Sequence, residues 1–246
     1  MKVFGISLLL GFLAGLANFL GGILGITSKR VTPGLLKYFV AFGAGFLLAA
    51  AFLKMIPISF EQTRWAPMFV LAGYFLIHFF EHTVTPHFHF GEEIHPDEIG
   101  INSSVGLSAL FGLTVHALFD GVSISSGYIF SPALGLLIFA AIILHKLPEG
   151  FTISSIMLAA GGSKKKALMS SAMLGGATIL GAIAMHSIGG LFGYALAVSA
   201  GVSIYVAASD LIPEVNKEKG IWMSVMVFVG VGLFYLTEIL LERLNL

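Results

Sequence analysis

Residues Asn102 to Ala160 read NSSVGLSALFGLTVHALFDGVSISSGYIFSPALGLLIFAAIILHKLPEGFTISSIMLAA. The stretch holds two apolar runs, at about 102–127 and 131–160, and each exceeds the roughly 20 residues that a membrane-spanning helix needs. Each run is interrupted by a histidine and a carboxylate: His116-Ala-Leu-Phe-Asp120-Gly121 in the first, His145-Lys-Leu-Pro-Glu149-Gly150 in the second. An ionisable group in mid-span costs about 2.5 to 3.5 kcal/mol on insertion scales, so it requires a partner or a function. In both runs histidine and carboxylate stand four apart, which places each pair on one helix face. Two such helices facing each other offer two imidazoles and two carboxylates to a single point.

The rest of the chain fits the same solvent. Of 246 residues, 57% are hydrophobic and 11% charged, against about 25% charged in an ordinary soluble domain, and the mean hydropathy is +0.96. The length accommodates about eight spans joined by short loops and no separate soluble domain. Residues 1–246 therefore read as a single transmembrane domain. Zero net charge leaves no basic stripe for nucleic acid. The absence of cysteine excludes disulfides and thiolate ligands, so any metal site must use nitrogen and oxygen donors. The first run, Val3 to Ile26, is too long for a signal-peptide core and reads as the first span.

Apolar runs bounded by charge or turn residues fall at about 3–26, 34–58, 66–84, 102–127, 131–160, 167–189, 190–215 and 219–243. The cut between the sixth and seventh rests on Gly189, Gly190 and Gly193, since a merged helix would be far too long. With both termini outside the cytoplasm, Lys29, Arg30, Lys37, Lys164, Lys165, Lys166, Lys217 and Lys219 share the cytoplasmic side, and Lys2, Lys54, Arg64 and Arg243 the other. The positive-inside rule selects that orientation, in a cell (inner) membrane. Ala41 to Glu61 also matches Ala197 to Lys217, at Ala41/Ala197, Ala44/Ala200, Gly45/Gly201, Ala51/Ala207, Ile56/Ile212 and Pro57/Pro213. These segments belong to spans two and seven, which cross in opposite directions, and inverted repeats are a transporter signature. The expected fold is an all-α polytopic membrane protein of eight helices in a 3+2+3 arrangement, helices 1–3 and 6–8 forming the repeat around helices 4–5.

A four-coordinate divalent cation fits His116, Asp120, His145 and Glu149; zinc fits most comfortably, with Fe2+, Mn2+, Co2+ and Cd2+ also compatible. A lone buried His or Asp is more simply an interhelical hydrogen-bonding group, but duplication of the pattern argues for a ligand set. Gly121 and Gly150 let neighbouring backbones approach the carboxylates closely. Pro148 cannot donate to the carbonyl of Leu144, so a kink and a free carbonyl are expected beside the site.

These two motifs resemble helices four and five of the Zrt/Irt-like (ZIP) metal transporters. The resemblance extends to the eight spans, the outward termini, a His-bearing loop between the third and fourth, and Ile212-Pro-Glu214 at the end of the seventh. It implies uptake of a divalent metal into the cytoplasm by an elevator-like movement of one helix bundle against another. The family's common form also has an asparagine after the helix-four histidine, an acidic residue after the helix-five histidine and a glutamate in helix six, which help to bind a second metal. Ala117, Lys146 and Thr178 occupy those places here, so one ion is expected. The Lys146 ammonium would then stand in for the second cation by pairing with Glu149 or Asp120; the simpler alternative is that Lys146 snorkels to the nearer surface.

The segment 82–101 carries His82, His87, His89 and His95 among acidic residues and reads as a cytoplasmic loop that captures metal or merely connects. Asp210 and Glu214 are candidates for an exit path. His78 and His186 read as isolated core residues. The partners expected are the divalent ion, the bilayer and, as an option, a second copy of the chain. No enzyme activity is expected. The rivals are an intramembrane zinc hydrolase, since such ligands also activate water, and a metal sensor or exporter. The hydrolase is disfavoured because four protein donors can close the site and no His-Glu-x-x-His signature is present.

Overall fold

A computed structural model of the protein describes residues 2–27, 33–83, 103–188, 190–217 and 220–243. Among these residues there is no strand. The helices are α1 (Lys2–Thr27), α2 (Pro33–Ala50), α3 (Ile56–Gln62), α4 (Ala66–Thr83), α5 (Ser103–Phe130), α6 (Pro132–Ala159), α7 (Lys164–Ser187), α8 (Phe192–Tyr205), α9 (Ile212–Asn216) and α10 (Trp222–Arg243). Seven helical stretches among the described residues are long and apolar enough to cross a membrane. The apolar part of α4, Ala66–Phe80, is shorter. The protein is thus an all-helical, multi-pass membrane protein, and large apolar side chains such as Phe12, Leu71, Phe228 and Leu236 face outward.

Local chemistry sets the boundaries. Ser131 caps α6 by accepting from the Leu134 N–H at 3.1 Å, with Pro132 at the first helical position, where a missing N–H costs nothing. Ser163 caps α7 likewise, accepting from the Lys166 N–H at 3.3 Å. The cap moves the start of the sixth span from the expected 167 back to Lys164, because a satisfied helix terminus outweighs the polarity of three lysines. The break expected around Gly189 and Gly190 is present, since α7 ends at Ser187 and α8 begins at Phe192.

The hydropathy pattern gives no sign of two π-helical segments, Ala51–Met55 between α2 and α3 and Val206–Leu211 between α8 and α9. The Ile56 N–H reaches the carbonyl of Ala51, and the Ile212 N–H that of Ala207. Pro57 and Pro213 follow directly. A proline ring crowds the carbonyl four residues back, and a wider turn just before it relieves the clash. When Ala41 is laid on Ala197, the first segment falls within the second, which begins one residue earlier.

The helices pack in two groups. In one, α1 lies against α6 and α7, and α5 against α6 and α7. In the other, α2 lies against α10 and α4 against α8. The groups meet through α2 with α6 and α5 with α8. Phe46 and Phe234 fill the α2–α10 contact edge to face at 5.3 Å, and Lys54, in the first π-helical segment, pairs with Glu238 of α10 at 2.6 Å.

Candidate metal centre

Close backbone approach sets up the site. A side chain on Gly121 would collide with the Thr178 carbonyl of α7, and one on Gly150 with the Asn18 carbonyl of α1. Gly181 meets Leu118 and Gly21 meets Leu147 in the same manner, and Gly15 and Gly175 meet each other. Residues 118 and 121 of α5 thus have the surroundings of residues 147 and 150 of α6, and residues 15, 18 and 21 of α1 match 175, 178 and 181 of α7. His116 and Asp120 correspond in this scheme to His145 and Glu149. The four helices hold the two ionisable pairs opposite each other.

The structure brings His116, Asp120, His145 and Glu149 together, with one donor atom from each lying within 4.8 Å of the others. All four are buried. Asp120 is the hub: its Oδ2 lies 3.0 Å from His116 Nε2 and 3.5 Å from His145 Nε2. The imidazole rings stand 5.6 Å apart. His145 Nδ1 lies 3.2 Å from the Ala141 carbonyl oxygen, an acceptor that suits the Nδ1–H tautomer, while Nε2 faces the centre. Four donors about 2.05 Å from one tetrahedral ion would sit about 3.4 Å apart. The observed spread requires movements of about an ångström and a half, within reach of side-chain rotation.

Lys146 is fully buried. Its Nζ lies 2.6 Å from Asp120 Oδ2 and 2.6 Å from Glu149 Oε2, so the ammonium bridges both carboxylates rather than reaching for the surface. Ala117 and Thr178 are also buried, and the Thr178 hydroxyl donates to its own helix at Leu174. Helix α6 runs on through Pro148. Asp210 is buried in the second π-helical segment, outside the cluster. The side chains of Glu214 and His82, and all of His87, His89, His95 and the other residues from 84 to 101, lie outside the described residues. His78 and His186 are only half-buried and pack against Tyr205 and Phe4 respectively. Asn18 is not among the residues singled out from the sequence, although its signal is there: a lone amide in the apolar run 3–26.

The model of the ZIP zinc transporter family matches residues 93–238, more than half of the chain. The chain belongs to the ZIP family. Curated relatives agree from end to end: the zinc transporter ZupT of Salmonella paratyphi A is 25% identical over 260 residues, covering 98% of this chain and 99% of the relative. ZupT of Salmonella newport and of Salmonella dublin match to the same extent. The family match begins after α4, so α1, α2 and α4 are covered by the full-length relatives. Both ionisable pairs of this ZIP protein lie inside the matched region.

Proposed function

We propose that the chain moves a divalent metal ion, zinc foremost, across the membrane toward the cytoplasm through a single site formed by His116, Asp120, His145 and Glu149. The convergence of these four buried donors carries the reading. Two nitrogens and two oxygens suit zinc, and Fe2+, Mn2+, Co2+ and Cd2+ are compatible with the same set. Lys146 takes the place of a second cation: its charge balances Asp120 and Glu149 when the ion is absent, so the empty site is not two repelling carboxylates in a dry interior. An ion arriving at the site competes with that ammonium for the same oxygens.

The division into α1, α5, α6, α7 and α2, α4, α8, α10 supports an elevator-like movement, the first group carrying the site past the second. The matched π-helical segments and the matched glycine contacts support an inverted repeat of helices 1–3 and 6–8 in an eight-helix, 3+2+3 fold. The basic residues favour outward termini. Ligand protonation competes with the ion, so binding and transport depend on pH. Four protein donors and the ZIP relationship disfavour a hydrolase.

Zinc uptake into proteoliposomes is the test. Uptake by the wild type, lost in both His145→Ala and Glu149→Ala, is the expected result. Intact uptake in both variants would refute the site.

A further inference from the structure

Asn18 belongs to α1 and has no exposed surface. Neither its Oδ1 nor its Nδ2 has a hydrogen-bond partner among the described residues. An unsatisfied amide in a dry interior costs several kcal/mol, so a partner is expected in at least one working state. The backbone of Asn18 abuts Gly150, and Lys146 lies one helical turn from Gly150 on the same face of α6. Asn18 therefore lies within about one helical turn of Lys146 on the helix packed against it. The matching position on the α5–α7 side has no comparable pair: Ala117 stands in place of Lys146, and Thr178 in place of Asn18. Among the described residues, only the α1–α6 side holds a buried ammonium and a buried amide within about one helical turn of each other.

The donor and acceptor inventory gives this pairing a use. An ammonium has three N–H donors; Lys146 donates one to Glu149 Oε2 at 2.6 Å, and its Nζ pairs with Asp120 Oδ2 at 2.6 Å. An ion bound by those carboxylates takes the oxygens that hold the ammonium. The displaced charge then needs another acceptor, because Lys146 is fully buried and a buried charge is costly without a partner. We propose that Asn18 is a positioning residue of the metal centre, its side-chain Oδ1 receiving the Lys146 ammonium as the ion takes the carboxylates. This inference rests on the metal-site reading above.

A double-mutant cycle on zinc binding tests it, using the full chain in nanodiscs. Asn18→Leu and the smaller Asn18→Ser are each made with Lys146 present and in a Lys146→Met background, and folding is checked by thermal unfolding. With Lys146 present, either Asn18 variant is expected to weaken zinc binding about tenfold, the value of one hydrogen bond to a buried charge. In the Lys146→Met background the same variants should change it less than about twofold, because no ammonium needs rehousing. Equal losses in both backgrounds would make Asn18 a packing residue and overturn the proposal, as would no loss in either. Asn18→Ser leaves the outcome decided if the bulkier leucine does not fold. Wild-type binding unaffected by His145→Ala would instead overturn the metal site itself, and this inference with it.

Discussion

Lys146 decides the electrostatics of the centre. A lysine beside a candidate metal ligand suggests two opposite outcomes, escape to the surface or retention as a counter-charge, and its two 2.6 Å contacts correspond to the second. Replacing it with a neutral side chain removes one partner of a buried ion-pair network, which costs about 3 to 5 kcal/mol. Lys146→Met is therefore expected to lower the unfolding temperature of the ion-free protein and to bind zinc more tightly, since no ammonium competes for the carboxylates. Thermal unfolding and zinc titration check both parts, and unchanged affinity would end the counter-charge role. The four donors were legible from the sequence because a spacing of four within apolar helices leaves little freedom in where the groups face. Asn18 was not, because a single amide carries no period, and only its burial between neighbouring helices gives it meaning.

At the scale of elements, the approach of α5 to α7 and of α6 to α1 depends on Gly121 and Gly150. A methyl group at either position would run into a facing backbone carbonyl, and backbone cannot rotate aside as a side chain does. Gly121→Ala and Gly150→Ala should each destabilise the protein by about 1 to 3 kcal/mol through overpacking, read as a fall in unfolding temperature in detergent, with weakened zinc binding because the carboxylate on the preceding residue shifts. An alanine variant of Gly176, where a side chain meets nothing within 4 Å, is the control and should be neutral. The glycines beside the carboxylates can be picked out from the sequence, but the π-helical segments cannot. Their Ile-Pro endings are visible, yet widening of the turn before Pro57 and Pro213 is a response to backbone crowding that hydropathy does not register.

For the whole molecule, the elevator reading requires the two helix groups to move past each other. A Cβ on Gly43 of α2 would stand 3.6 Å from the Cβ of Leu144 on α6, within the range a disulfide spans, and the chain has no cysteine of its own. A Gly43→Cys/Leu144→Cys variant should cross-link on oxidation, keep its zinc binding and lose uptake until reduced. Full uptake by the cross-linked form would rule out relative movement at this contact. Proton competition is also a property of the assembled site. Zinc binding should weaken as the pH is lowered, because protons compete with the ion for the imidazole and carboxylate donors, and a flat titration from about pH 8 to 5 would contradict the ligand set.

By itself the sequence determined the solvent, the approximate spans and the four candidate ligands, because burial in lipid requires long apolar runs and makes each ionisable exception conspicuous. The matched Ile-Pro segments gave the expectation of a repeat. Tertiary structure alone decided which helices meet, that Lys146 joins Asp120 to Glu149, and that Asn18 is buried against Gly150. Those outcomes depend on contacts between residues far apart in the chain, set by how closely two backbones pack, and no local pattern encodes that distance.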